Sequence, residues 1–138
     1  MGVKVHKAED EDMARLFEIG SLAFDRNEPF WDALWPQHWT EKGRIQGAER
    51  FKATKNKYTH VNYLKAIDET GKIVGFAKWD FYINRMPDNE TDENDYWNDP
   101  EEKAYAGEIT KCFLKERNGA IVRNNGNLAS LDILAIDP

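Results

Sequence analysis

Apolar positions change their spacing several times along the chain, and each change marks an element. Val3 and Val5 alternate with polar neighbours, which predicts a short strand over roughly residues 2–8. Asp10 or Asp12 then stands where a helix cap belongs, and Met13, Leu16, Phe17, Gly20, Ala23 and Phe24 recur at helical spacing. In FDRNEPFWDALWPQHW, Phe30, Trp31, Leu34, Trp35 and Trp39 fit one or two helical turns that Pro36 limits. A further helical segment over about 40–54 places Ile45, Ala48 and Phe51 on one face and ends in Lys52, Lys55 and Lys57, a solvated helix end.

The period then shortens. The runs from Tyr63 to Asp68 and from Ile73 to Tyr82 flank a turn at Gly71 and predict a β-hairpin. Its second strand alternates Val74, Phe76, Lys78, Asp80 and Tyr82 with Ile73, Gly75, Ala77, Trp79 and Phe81, and Gly75 suggests a bulge or a close approach. The acid-rich stretch Met86–Glu102 reads as a solvated loop. It lacks the calcium-loop pattern, because, counting Asp88 as the first position, the sixth is Glu93 and the twelfth is Asp99. Pro100 opens a helix to about Arg123 with Tyr105, Ile109, Cys112 and Phe113 inward. Asn124-Asn125-Gly126 ends it, and NLASLDILAIDP supplies a last strand from Leu128 to Ile136.

The predicted order is β-α-α-β-β-α-β in a single domain, 1–138, of the α/β (α+β) class. Size and composition agree. A chain of 138 residues with 41% hydrophobic content can bury a core despite 32% charged residues. A net charge of −6 excludes a general nucleic-acid partner, for want of a basic stripe. No run is long enough to span a membrane, so a cytoplasmic protein without a membrane partner is the expectation. Cys112 is the only cysteine, which excludes an internal disulfide, and scattered His6, His38 and His60 suggest no metal site. Asn89–Thr91 matches a glycosylation sequon.

The stretches LFEIGSLAFDRNEPFWDALWPQHW, GKIVGFAKWDFY and NLASLDILAIDP, in this element order, resemble the first half of a fungal-type GNAT-superfamily N-acetyltransferase. The resemblance implies a mixed, mostly antiparallel sheet in which Leu128–Ile136 is the central fourth strand, splayed to admit the pantetheine arm of acetyl-CoA. It implies transfer of acetyl to a small-molecule or peptide amine, with backbone of Leu134, Ala135 and Ile136 on the cofactor. The family's Gln/Arg-x-x-Gly-x-Gly/Ala phosphate loop is absent from these 138 residues. The expectation is therefore a domain truncated after the fourth strand, with little activity alone. The alternative is a non-catalytic GNAT-derived module. In both cases a second copy or a partner chain is expected to cover the terminal strand.

Candidate chemistry follows from that placement. Asp132 and Ser130, polar residues on an apolar strand, are either catalytic or structurally hydrogen-bonded. Strict alternation would put Ser130, Asp132 and Leu134 on one face and Leu131, Ile133 and Ala135 on the other. Asp80 reaches the same cleft or sits in water at an edge. Glu28, Phe30, Trp31 and Trp35 form either an acceptor pocket, where Glu28 and Asp32 attract an amine, or ordinary core. His38 reads as a structural histidine.

Overall fold

The computed structural model describes residues 2–88 and 94–138. The sequon and the middle of the acidic loop, through Glu93, lie outside the described residues. The chain forms β1 (Lys4–Lys7), a 3₁₀ turn (Asp10–Asp12), α1 (Met13–Phe24), α2 (Pro29–Leu34), α3 (Glu41–Lys57), β2 (Val61–Ile67), β3 (Ile73–Tyr82), α4 (Pro100–Arg123) and β4 (Leu128–Ile136). Three helices separate β1 from β2, one more than predicted, because Pro36 divides α2 from α3. The strands make one antiparallel sheet in the order β1-β2-β3-β4. Among the described residues the expected central strand, β4, is thus paired on one side only.

All four helices lie on one face of this sheet. Leu16 and Phe17 of α1 and Phe51 of α3 pack on Tyr63, Phe76 and Ala135 of the strands, with Trp31 beside them. Aromatic edges supply much of the contact: Phe17 meets Trp31, Trp35 and Phe51 at centroid distances of 5.7, 5.3 and 5.2 Å. Phe17 also lies directly over Gly47, where a Cβ would sit 2.1 Å from the ring. That contact explains why Ile45, expected inward, is 60% exposed: α3 turns its glycines and Phe51 to the core instead.

α4 departs from expectation in the same way. Tyr105, Cys112 and Phe113 are exposed, while Ala106 and Ile121 are buried. A small residue permits close approach to α2, and the long side chains outside it remain in water. Phe113 makes a ring contact with Phe30, at 4.7 Å. Asp99 caps α4, accepting from the Glu102 N–H at 2.8 Å.

Two irregularities reset the phase of the strands. One falls opposite Ala66/Ile67, beside Gly75, and carries Ile73 onto the core. The other is in β4: Lys78 pairs with Ile133 and Trp79 with Leu131, so Asp132 is an extra residue. Beyond it the alternation is inverted. Ile133 and Ala135 face the core, and Leu134 joins Leu131 and Ile136 on the opposite face. The strict alternation expected for β4 is therefore corrected by one bulge.

Candidate functional site

The bulge at Asp132 sits where β3, β4 and α4 converge. Asp80 on β3 and Ser130 on β4 are register partners and so share the helix-covered face. Lys78, two residues before Asp80, faces the same way and donates to Asp132 Oδ2 at 2.9 Å and to Asp80 Oδ2 at 3.2 Å. Arg117 of α4 reaches the same Asp132 oxygen at 3.1 Å and approaches Asp80 at 3.6 Å. Ser130 donates to Asp132 Oδ1 at 2.6 Å. Two carboxylates, one ammonium and one guanidinium thus form a single network under the end of α4. Lys78 Nζ also lies 3.1 Å from Asp80 Oδ1, but the angle favours Oδ2. Oδ1 is left without an aligned donor among the described residues, as is Arg117 Nε without an acceptor.

Electrostatics separates the two acids. Asp80 is 3% exposed, and burial raises its pKa to about 6, with the Asp132 charge adding to the rise against Lys78. Burial acts on Asp132 in the same sense, but Lys78 and the Ser130 hydroxyl outweigh it and hold Asp132 below the usual carboxylate range. Asp132 is therefore the anion of the pair, and Asp80 is the group that exchanges a proton near neutrality. Tyr63 and Tyr82 border the network, and burial followed by the nearby aspartates raises both phenols.

β4 offers a second kind of chemistry along its free edge. The Asp137 N–H donates to the Val74 carbonyl at 2.9 Å. Antiparallel alternation from that bond turns the N–H and C=O of Ile133 and Ala135 toward β3. The corresponding groups of Leu134 and Ile136 point away, to a side where no strand lies among the described residues. Of the three expected cofactor-binding residues, Leu134 and Ile136 present open backbone. Ala135 spends its backbone on β3 and its side chain in the core, 4% exposed.

The expected acceptor residues are dispersed. Glu28 caps α2, accepting from the Phe30 N–H at 3.2 Å, and the Phe30 ring packs at a tilt against Phe113. Trp31 is buried in the core, and Trp35 packs on Phe17 and Phe51 with the Arg50 guanidinium 4.1 Å above its ring. Asp32 lines a cavity of about 480 Å³ with Arg26, Trp39, Trp97, Glu102 and Tyr105. Tyr105 precedes Arg117 by twelve residues on α4, so this cavity lies about 18 Å along the helix from the acid pair.

Beside that cavity His38 stands between Asp32 Oδ1 on Nε2 and Ser21 Oγ on Nδ1, each at 2.7 Å. The atom order is that of a hydrolytic triad, yet Ser21 and His38 are 3% and 0% exposed. The Ser21 hydroxyl also donates to the His38 carbonyl at 2.8 Å. No substrate reaches that hydroxyl; the arrangement ties α1 to the turn after α2.

Lys78 and Arg117 are the functional side chains that sequence patterning missed. Lys78 had a signal, since it shares its strand face with Asp80 and Phe76 and needs an anion there. Arg117 had none, because its partners lie on two other elements.

No family model matches the chain, and no curated protein matches it. Among solved structures, a protein described as "histone acetyltransferase HPA2 and related acetyltransferase" from Corynebacterium glutamicum is similar over 92% of this chain and 74% of its own. The identity is 20% and the TM-score 0.46.

Proposed function

We propose that this chain carries the amine-side half of a GNAT-type N-acetyltransferase, with β4 as the strand that receives acetyl-CoA. The observation that carries the reading is the bulge at Asp132. It sets Asp132 against Asp80 of β3 in a buried acid pair and turns the backbone of two residues of β4 outward. An extended arm bearing two amides, as in pantetheine, needs alternating donors and acceptors along an edge. Leu134 and Ile136 offer that pattern. The phosphates have no such cradle in these 138 residues, so a further segment or chain is proposed to hold them.

Acetyl-CoA, when bound, supplies an acyl thioester whose carbonyl the acceptor amine attacks. The Leu134 and Ile136 amides are assigned to fixing the arm and polarising that carbonyl. Asp80, only 3% exposed, is assigned as the end of a water path that takes the proton the substrate ammonium must lose, since its raised pKa lies near working pH. Asp132 stays ionised between Lys78 and Arg117 and positions both cations.

Amide hydrogen exchange on β4 with and without acetyl-CoA tests this reading. The Leu134 and Ile136 amides are expected to exchange fast in the free chain and at least tenfold more slowly at saturating cofactor. The Ile133 and Ala135 amides are expected to be slow in both. Unchanged exchange at Leu134 and Ile136 would remove β4 as the cofactor strand.

A further inference from the structure

The cavity between α2 and the first turns of α4 carries one chemical arrangement twice. In one half a cation of the chain itself completes it. Arg26, from the turn after α1, lays its guanidinium 3.5 Å above the Trp39 ring and donates through Nε to Asp32 Oδ2 at 2.9 Å. A flat cation thus lies on an aromatic face with a carboxylate at its edge. The other half is lined by the same residue types, with Trp97 and Tyr105 supplying rings and Glu102 the carboxylate. Trp97 is fixed by its indole N–H, which donates to the Ala33 carbonyl at 2.7 Å. Arg50, which lines a different cavity, approaches the Trp97 ring to 5.6 Å, a second instance of the same pairing. Tyr105 lies outside the core and is 57% exposed. One Glu102 oxygen accepts the Asn98 N–H at 3.3 Å, and no cation among the described residues pairs with the carboxylate.

Charge sets the sign of what fits. The lining holds one positive and two negative side chains, so a monocation makes it neutral and an anion makes it more negative still. The α4 N-terminus opposes a cation with the equivalent of about +0.5 charge, but Asp99, Glu101 and Glu102 at that end outweigh it. Shape sets the kind of cation. A guanidinium is flat, stacks on rings and is weakly hydrated, whereas an ammonium is a compact and strongly hydrated charge. The volume, about 480 Å³, lies within the range of small-ligand sites.

We infer that this cavity binds a guanidinium group from outside the chain, held against Trp97 and Tyr105 with Glu102 as its counter-ion, as Arg26 is held by Trp39 and Asp32. The group belongs either to a free guanidino compound or to an arginine of a peptide. The cavity lies about 18 Å along α4 from the acid pair, so the inference stands independently of acetyl transfer.

The indole N–H resonances of the full chain test it, because Trp39 and Trp97 line the cavity and Trp31, Trp35 and Trp79 do not. Ethylguanidinium and a blocked Ala-Arg-Ala peptide are the probes, and n-butylammonium is the control. Each is kept below the concentration at which circular dichroism changes. Trp97 is expected to shift saturably with one equivalent bound, and n-butylammonium to bind at least tenfold more weakly. Glu102→Gln is expected to weaken binding at least tenfold. Arg26→Ala, which releases Trp39 and Asp32, is expected to raise the stoichiometry from one to two. A peptide at least tenfold tighter than ethylguanidinium assigns the site to arginine in a protein segment, and a smaller ratio assigns it to a free guanidino compound. No saturable shift at Trp97, equal affinity for n-butylammonium, or a stoichiometry of one in Arg26→Ala would overturn the inference. So would binding unchanged by Glu102→Gln. Should that variant loosen the start of α4, Tyr105→Ala replaces it outside the core, and unchanged affinity there has the same consequence.

Discussion

Lys78 binds two carboxylates at once, and that sets how much loss the network tolerates. Removing the Asp132 side chain leaves Lys78 and Arg117 facing Asp80 alone, and Asp80 is the acid that burial disfavours as an anion. Breaking one partner out of such a buried set costs about 3–5 kcal/mol. Asp132→Ala is expected to destabilise by that amount in urea titration, and Asp132→Asn by less, because an amide oxygen still accepts from Ser130. A loss below about 1 kcal/mol for Asp132→Ala would show the network to be slack. Much of this residue chemistry was legible in the sequence. Ser130 and Asp132 stand out on an apolar strand, and an acid there requires a partner. The identity of the partners was not legible, because Lys78 and Arg117 come from β3 and α4 and only the fold joins them. Nor was the phase of Leu134 and Ile136, since one inserted residue leaves no mark in a hydrophobic alternation.

Among the elements, strands and helix ends were the readable part, and inward faces were the unreadable part. β4 and α4 have the bounds that their turn and cap residues predict, Leu128–Ile136 and Pro100–Arg123. The inward faces of α3 and α4 were misassigned for one reason: both helices approach their neighbours through small residues, and apolar periodicity weighs only large ones. On α3 this is Gly47 under the Phe17 ring. On α4 it is Ala106, 2% exposed, while Tyr105 and Phe113 lie outside. Helix propensity alone would make Gly47→Ala stabilising by up to about 1 kcal/mol. The structure reverses that sign. The added methyl meets three atoms of a fully buried ring between 2.1 and 2.4 Å, and Phe17 cannot withdraw without disturbing Trp31, Trp35 and Phe51. Overpacking of this kind costs about 1–3 kcal/mol, so Gly47→Ala is expected to lower the melting temperature by several degrees. An unchanged or higher melting temperature would mean that the α1–α3 contact is loose.

Across the whole molecule, the core face concentrates titratable groups and the open face has almost none, so the pH dependence of folding is decided on one side of the sheet. Two buried groups there act in opposite directions. Asp80 keeps its proton up to about pH 6 in the folded chain, against an ordinary carboxyl value of 3.8. Between these values the folded state binds more protons, and Asp80 makes stability fall as pH rises. His60, near Tyr82, is pushed below its ordinary 6.5 by burial and then by Arg85, with Lys78 and Arg117 adding to the effect against Asp88. Between the lowered value and 6.5 the unfolded state binds more protons, so His60 makes stability rise with pH. Where the two windows overlap the slopes oppose each other, so the wild-type melting temperature should change less with pH than that of a variant lacking either group. Each substitution then exposes the other group. Asp80→Asn is expected to give a melting temperature that climbs with pH across this range, and His60→Gln one that declines. Below about pH 4 all three should lose stability together, as Asp32 and Asp132, both held below the carboxylate range, take up protons. Profiles of the two variants that run parallel between pH 4 and 6.5 would show that Asp80 and His60 are not the opposing pair.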